Sequence, residues 1–199
     1  VLRLADWCEK QGIRLLVDES FVDFTEGYED NSLLHNDILD SQPHMMVMKS
    51  ISKSYGVPGL RLGVLASADE TLIGKVKKEV SIWNINSFAE FYMQIFGKYA
   101  SEYKVACMEF VEERQRFAQL LSAVSYLRVI PSQANYFLCE VLAPFTSASL
   151  TQSLIERDVL ISNCGNKSRM EGHQIVRIAV RDRKDNDRLI EILNSLVTV

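Results

Sequence analysis

The segment MVMKSISKSYGVPGLRLGVLAS, Met46–Ser67, joins two apolar stretches through a turn rich in serine, glycine and proline. Lys53 stands in this turn, with Ser50 and Ser52 before it and Arg61 after it. Taken alone, the turn fits a surface loop whose lysine is an ordinary charge. Hydroxyls and a guanidinium can also form a receptor for a phosphate dianion, because glycine has no Cβ and leaves backbone N–H groups open to a ligand. A lysine amine beside such a receptor suggests a Schiff base.

Three short apolar runs predict strands, at Ile13–Glu19, Met45–Ser50 and Arg61–Ser67. Their apolar character is continuous rather than alternating, which is typical of strands covered on both faces. We therefore expect an α/β fold with helices on either side of a sheet. A helix is predicted before the first strand, over Val1–Lys10, and Gly12 is placed to end it in a left-handed cap.

The rest of the chain is predicted to be helical and then mixed. A helix that begins after Asp69 and runs through Lys78 is followed by a long amphipathic stretch, Phe88–Val124, which we expect to be interrupted near Gly97. A compact α+β lobe is then predicted from the strand LRVIPSQANYFLCEV, a helix over Ser147–Arg157, the strands VLISNCG and QIVRIAVR, and a helix over Asn186–Leu196.

Composition excludes several classes of protein. The 199 residues are 47% hydrophobic, with a net charge of −4 and a pI near 5.5. Nucleic acid and anionic membranes both need a concentrated basic face, so we expect neither as a partner. No apolar run approaches the ~18 residues of a membrane span, and the first residues do not resemble a secretory signal. Four widely spaced cysteines predict reduced, buried thiols and a cytoplasmic protein.

Motifs for other chemistries are weak. The three histidines lack the i, i+4 spacing of a metal site, and GVPGLRLG is not the dinucleotide-binding G-x-G-x-x-G pattern. Ser50-Ile51-Ser52-Lys53 satisfies the S-x-x-K pattern of penicillin-binding enzymes. The S-D-N and K-T-G elements of those enzymes are absent, and Pro58 and Gly59 oppose a helix here.

SISKSYGVPGLRLG resembles the cofactor-lysine segment of the fold-type I, class I and II aminotransferases, which depend on pyridoxal 5'-phosphate. VDESFVDF, about 35 residues before the lysine, is similar to the family's D-E-x-[YF] element. PSQANYFL and VRIAVRDRKDNDRLIEIL resemble two further family elements. The branch that looks most similar contains histidinol-phosphate aminotransferase and threonine-phosphate decarboxylase. The resemblance implies part of a mixed, mainly parallel three-layer α/β sheet and a small α+β C-terminal domain.

The resemblance also implies a function. We expect a pyridoxal-phosphate-dependent aminotransferase that acts on an amino acid or an amino-phosphate substrate. A decarboxylase of the threonine-phosphate type is the alternative. A degenerate, non-catalytic module is a third interpretation, against which the intact lysine, aspartate and arginines argue.

By the same resemblance, Lys53 would hold the cofactor as a Schiff base and then act as base and acid. Asp18 would pair with the pyridine nitrogen and keep it protonated, although helix capping is its plainer role. Ser50 and Arg61 match the family positions that bind the cofactor phosphate, and Ser52 would assist them. A structural salt bridge is the alternative role for Arg61.

Three residues in the C-terminal part are expected to bind substrate. Arg177 matches the arginine that clamps the substrate α-carboxylate, for which a bidentate guanidinium fits both oxygens. Its alternative is a surface charge, but an arginine in the apolar run IVRIAV needs a partner. Asn135 would line the substrate cleft or cap a turn. Arg181 would bind a substrate phosphate or remain a solvated charge.

Phe21 departs from the family pattern. Many aminotransferases carry a tyrosine there, whose hydroxyl donates to the phenolate oxygen of the cofactor. Loss of that donor should raise the pKa of the cofactor's Schiff base. Phe21, the segment SIWNINS and Arg181 resemble the decarboxylase branch more closely.

Several family elements have no counterpart in this sequence: the N-terminal phosphate loop, an aromatic residue that stacks on the pyridine ring, and an asparagine near the phenolate oxygen. We therefore expect a C-terminal fragment that is inactive alone and belongs to a homodimeric protein. The expected parts are half of the cofactor domain at 1–86, linking helices at 87–125 and the small domain at 126–199.

Overall fold

The computed structural model describes residues 1–197, apart from the side chain of Tyr28. These residues form two compact units, Val1–Cys107 and the part from Met108 onward. The first unit contains the elements α1 (Leu2–Lys10), β1 (Leu15–Asp18), α2 (Tyr28–Asn31), α3 (Asn36–Ser41), β2 (Met45–Ser50), α4 (Ile51–Ser54), β3 (Gly63–Ala66), α5 (Glu70–Glu79) and α6 (Ser87–Phe96). Among these residues no helix is long and apolar enough to cross a membrane.

The sheet of the first unit has the order β1-β2-β3. Strand β1 runs parallel to β2, with Asp18 opposite Met48, and β2 runs antiparallel to β3. Before the sheet, Gly12 has a φ of +68° and follows α1, as a left-handed cap requires. The α/β class and the mixed sheet are therefore confirmed.

One face of this sheet carries the core of the first unit. Ala5 of α1, Leu33, Met45 and Val47 are buried together, and Ile38 and Leu39 of α3 pack against them. On the opposite face Leu16 is 50% exposed and Met48 38% exposed. Within the described residues, this cluster covers the face that carries Met45 and Val47, and Leu16 and Met48 remain exposed.

The segment around Lys53 is a single turn of helix, α4, rather than the expected loop. Ser50 is its N-cap residue, and Pro58 lies four residues beyond its last residue, so the proline does not oppose the turn. Gly56, with a φ of +66°, reverses the chain behind α4. A turn of 3₁₀ helix, Pro58–Leu60, then leads to Arg61.

The long helical stretch is interrupted where the sequence predicts it. Helix α6 ends at Phe96, and a 3₁₀ turn over Gly97–Tyr99 separates it from α7, which spans Ala100–Ser122 and continues into the second unit. Asn86 caps α6 by accepting a hydrogen bond from the Ala89 N–H at 2.9 Å.

The second unit adds β4 (Leu127–Ile130), β5 (Tyr136–Val141), α8 (Ser147–Ile155), β6 (Ser162–Asn163), β7 (Ile175–Ala179) and α9 (Arg183–Ser195). Its antiparallel sheet has the order β4-β5-β7-β6. The predicted single strand LRVIPSQANYFLCEV is instead a hairpin of β4 and β5. Pro131 follows β4 directly, and a proline has no N–H to continue a ladder.

Two further elements start three residues away from the predicted position. The strand expected in VLISNCG shrinks to Ser162–Asn163. Helix α9 begins at Arg183 instead of Asn186, because the Asp182 side chain accepts the Asp185 N–H at 2.8 Å and so caps an earlier turn.

The larger apolar core belongs to the second unit. Phe117 and Leu121 of α7, Phe137 of β5 and Leu193 of α9 are buried in it. The Tyr126 hydroxyl donates to the Leu193 carbonyl at 2.7 Å, which satisfies its polar end inside the core.

Candidate active site

Asp18 and Ser50 end the parallel strands β1 and β2 at the same edge of the sheet. The Asp18 carboxylate accepts two hydrogen bonds from Ser20, from the N–H at 2.9 Å and from the hydroxyl at 2.5 Å. The Ser20 hydroxyl in turn accepts the Ser50 N–H at 3.0 Å. Ser20 therefore joins the two strand ends.

The Asp18 carboxylate is held in its charged form. The hydrogen bonds from the Ser20 hydroxyl and N–H lower the pKa of Asp18, and the positive charge of Lys53 lowers it further. Asp18 is an exposed acceptor at the strand end, close enough to Lys53 for the charge of the lysine to act on its carboxylate.

Lys53 is exposed, and its Nζ lies 4.6 Å from the centroid of the Phe21 ring. This distance is that of a cation–π contact, in which the ring face attracts the ammonium group. The structure thus brings together three of the residues predicted at the cofactor site, Lys53, Phe21 and Asp18.

The expected phosphate receptor lies on the same segment. Ser50 caps the turn α4, and Ser52 is buried within it. Arg61 is exposed and has a φ of +56°, a left-handed conformation that costs energy for a residue with a Cβ and often occurs at ligand sites. The Ile51 N–H donates to the Leu62 carbonyl at 3.1 Å, which holds the Arg61 segment beside α4.

These residues fit pyridoxal 5'-phosphate. The charged Asp18 carboxylate is an acceptor for a pyridinium N–H, the Lys53 amine is exposed for a covalent bond, and the Arg61 guanidinium is exposed for a phosphate. A Cβ on Gly59 would meet no described atom within 4 Å, so the space beside this backbone is open.

Sequence reasoning missed Asp23, which is 2% exposed and lies in a 3₁₀ turn over Val22–Phe24. Its carboxylate accepts hydrogen bonds from Lys49 Nζ at 2.5 Å, the Ser54 hydroxyl at 2.7 Å and the Tyr103 hydroxyl at 2.8 Å. The one local signal was the third acid in VDESFVDF, between Val22 and Phe24.

The predicted substrate-binding residues lie in the second unit. Arg177 on β7 is exposed, and its guanidinium carbon lies 5.4 Å from the centroid of the Tyr136 ring. The Asn135 carbonyl accepts the Val180 N–H at 2.9 Å. Arg181 Nε donates to Asp185 Oδ2 at 2.5 Å, and this bond raises the pKa of Arg181.

A buried arginine, Arg114, was also missed. It donates to the Gln133 carbonyl at 2.9 Å and to the Gln133 side-chain oxygen at 3.1 Å. Gln133 lies in the β4–β5 turn two residues before Asn135, so Arg114 anchors the backbone that presents Asn135.

Comparison with known proteins places the chain in a family. The sequence model described as "Aminotransferase class I and II" matches residues 1–193. The chain belongs to the class I and II aminotransferase family, whose aminotransferases and related decarboxylases depend on pyridoxal 5'-phosphate.

Three curated relatives align with nearly the whole chain. The CMP-5'-(3-aminopropyl)phosphonate synthase of Streptomyces rubellomurinus is 31% identical over 98% of this chain and 31% of its own length. The threonine-phosphate decarboxylase of Salmonella typhimurium is 29% identical over 98% of this chain and 52% of its own. The L-serine phosphate decarboxylase of Sulfurospirillum multivorans is 30% identical over 92% of this chain and 47% of its own.

A solved structure shows the same fold. The histidinol-phosphate aminotransferase of Clostridium acetobutylicum has a TM-score of 0.85 and 25% identity, over 98% of this chain and 57% of its own. The chain thus spans about half the length or less of the curated relatives described above.

Proposed function

We propose that this chain carries the lysine-bearing side of a pyridoxal-phosphate site in an enzyme that acts on a small phosphorylated amino acid. The observation that supports this most is the grouping of Lys53, Asp18 and Ser50 at the carboxyl ends of β1 and β2. Ligands bind at this end of the strands in α/β sheets.

Each residue has a role that follows from its chemistry. When bound, the cofactor withdraws electrons from the bonds at the substrate Cα. The Asp18 carboxylate would accept the pyridinium N–H, and Arg61 with Ser50 and Ser52 would bind the cofactor phosphate. Lys53 Nζ would hold the cofactor and later hold or release the proton at Cα.

The substrate residues remain proposals as well. Arg177 would bind the α-carboxylate with its planar guanidinium, and Asn135 would line the cleft. Arg181 would bind a substrate phosphate. It would then exchange its exposed partner Asp185 for the phosphate dianion.

Decarboxylation is the reaction we propose first. The chain is 29% and 30% identical to relatives named threonine-phosphate and L-serine phosphate decarboxylase. Like the branch it resembles, the chain carries Phe21 where a hydroxyl donor would otherwise stand. In this reaction the bond from Cα to the carboxylate breaks, carbon dioxide leaves, and Lys53 supplies the proton that replaces it.

Transamination is the second candidate. The structural similarity to histidinol-phosphate aminotransferase, at a TM-score of 0.85 and 25% identity, supports it. In that reaction Lys53 would remove the Cα proton, the amino group would pass to an oxo-acid acceptor, and no carbon dioxide would be released.

The test uses the full polypeptide that carries this chain. After incubation with pyridoxal phosphate and reduction with borohydride, peptide mass spectrometry should find the phosphopyridoxyl group on Lys53. Lys53→Arg should abolish the label and lower turnover about 100- to 10,000-fold, whereas Lys75→Arg, at an exposed position on α5, should change neither. An unlabelled Lys53 in the wild-type protein would refute the proposed function.

A second assay distinguishes the reactions. Phosphothreonine, phosphoserine and histidinol phosphate are supplied with and without an oxo-acid acceptor. Carbon dioxide without the acceptor supports decarboxylation, and a keto product that needs the acceptor supports transamination.

The setting of the enzyme is part of the proposal. Members of the family are generally dimeric, so we expect a homodimer. Residues 1–86 would form the C-terminal half of the cofactor domain. Residues 87–125 would be linking helices, and residues 126–199 would form the small domain. All four cysteines are free and buried, which suits a reducing cytoplasm.

A further inference from the structure

Asp23 connects both ends of the segment that carries Lys53. Lys49, four residues before Lys53, and Ser54, directly after it, donate to different oxygens of one carboxylate. We infer that Asp23 is a positioning residue, whose carboxylate fixes the helical turn α4 so that Lys53 meets the cofactor correctly. The inference rests on the role proposed above for Lys53.

The Asp23 site combines a buried carboxylate with three partly buried donors. Asp23 is 2% exposed and the Lys49 side chain 12% exposed, so their ion pair is largely shielded from water. A buried carboxylate is costly unless it is paired and hydrogen-bonded, and here three donors satisfy it. Such a group has one favourable arrangement and therefore holds the chain segments around it in place.

The third donor extends the connection to α7. The Tyr103 hydroxyl donates to Asp23 Oδ2, and its ring stacks on Tyr55 with centroids 4.2 Å apart and an angle of 12°. Burial, and then the hydrogen bond to Asp23, raise the pKa of Tyr103 well above its ordinary value, so the hydroxyl remains a donor. Tyr55 directly follows Ser54, so this ring contact is a second link between Tyr103 of α7 and the end of α4.

Asp23 also lies close in sequence to the other residue beside Lys53. Phe21, whose ring is 4.6 Å from Lys53 Nζ, lies two residues before Asp23. The Phe24 N–H donates to the Phe21 carbonyl at 3.2 Å. A change at Asp23 would therefore move the lysine turn and the ring beside it together. Displacements of about 1 Å at a reacting group cost about 100-fold in rate.

The decisive variant is Asp23→Asn in the full polypeptide. The amide keeps the shape of the carboxylate, but it leaves Lys49 without a counter-charge and offers its donors one acceptor oxygen fewer. We expect borohydride-fixed pyridoxal phosphate on Lys53 to form about 10- to 100-fold more slowly, with a shifted pH dependence of the bound-cofactor absorbance. Amide hydrogen exchange in residues 50–56 should become faster.

Asp69→Asn is the matched control. The Asp69 carboxylate also accepts a backbone N–H, from Leu72 at 2.9 Å, and pairs with Arg14 at 2.8 Å, but it caps α5. This variant should lower the unfolding temperature while leaving exchange in 50–56 and the cofactor spectrum unchanged. If Asp23→Asn behaves in the same way as Asp69→Asn, the inference is overturned.

The inference stays testable if the variant does not fold or if Lys53 takes no label. If Asp23→Asn gives no folded protein, Ser54→Ala and Tyr103→Phe are used in its place, because each removes one donor to Asp23. Unchanged amide hydrogen exchange and unchanged labelling of Lys53 in both variants would overturn the inference. If the wild type takes no label on Lys53, the proposed function fails. Amide hydrogen exchange in residues 50–56 then decides alone whether Asp23 holds the turn α4. Faster exchange in Asp23→Asn supports the inference, and unchanged exchange overturns it.

Discussion

At the scale of single residues, Ser20 performs two tasks with one buried hydroxyl. It donates to Asp18 at 2.5 Å and accepts the Ser50 N–H at 3.0 Å. The first bond lowers the pKa of Asp18, and the second ties that carboxylate to the start of the lysine turn. An exposed acid thus stays ionised beside Lys53.

Replacement of Ser20 by alanine should raise the pKa of Asp18 toward its ordinary value, because the largest cause of its lowered value is removed. The stabilisation from this bond is present above the unfolded-state pKa, about 3.9, and is lost as the pH falls through the folded-state pKa. The wild type and the variant should therefore converge in stability in strong acid. Carbon-detected NMR titration of the Asp18 carboxyl gives the midpoint directly.

Ser67→Ala is the control for this titration. The Ser67 hydroxyl donates to the Met45 carbonyl at 2.9 Å and leaves Asp18 untouched. An Asp18 midpoint that is the same in Ser20→Ala and the wild type would contradict the argument.

At the scale of elements, a charged cluster joins α7 to α9 in the second unit. Glu113 accepts two hydrogen bonds from Arg116, at 2.7 and 2.8 Å, and one from the Asn186 side chain at 2.8 Å. Arg116 also pairs with Asp187 at 2.7 Å. The hydrogen bonds from Arg116, followed by that from Asn186, lower the pKa of Glu113.

Glu113→Gln should destabilise the protein by about 1.5–3 kcal/mol at neutral pH, the range for lost hydrogen bonds to a charged group. The folded-state pKa of Glu113 is lowered, so this contribution exists above the unfolded-state pKa, about 4.3, and disappears as the pH falls through the folded-state pKa. Urea unfolding at a series of pH values should show the two curves approaching each other in acid. Glu112→Gln, at an exposed neighbouring position, should have no such effect.

At the scale of the whole molecule, the first unit leaves large apolar side chains in contact with water. Leu16, Met48 and Leu65 lie on strands β1, β2 and β3, and Ile82 and Trp83 are about 90% exposed. Exposed apolar surface of this extent marks an interaction face or an aggregation hazard. A 199-residue chain produced alone should therefore associate.

Leu16→Lys with Met48→Lys should reduce the associated fraction of the 199-residue chain in light scattering, because two charges would interrupt the apolar face of the sheet. Glu79→Lys changes the net charge by the same amount at an exposed end of α5, and should leave association unchanged. A wild-type chain that is monomeric at all concentrations would contradict the argument.

Local signals explain which elements could be predicted. Strand β2 has the predicted bounds Met45–Ser50, and the helical stretch breaks at Gly97, because apolar runs, glycines and caps act within a few residues. The β4–β5 hairpin also has a local signal in Pro131, but the apolar residues on both sides of the proline share one strand-like pattern. The start of α9 depended on a single side-chain cap at Asp182.

The sequence by itself determined the family and the lysine segment, because Ser50, Lys53 and Arg61 lie within twelve residues and carry a pattern. Only the tertiary structure decided what holds that segment in place. The partners of Asp23 lie 26, 31 and 80 residues away along the chain, and no pattern in the sequence pairs them. Such contacts exist only after the strands have paired and α7 has packed, since hydrogen bonds between distant side chains depend on where the backbone brings them.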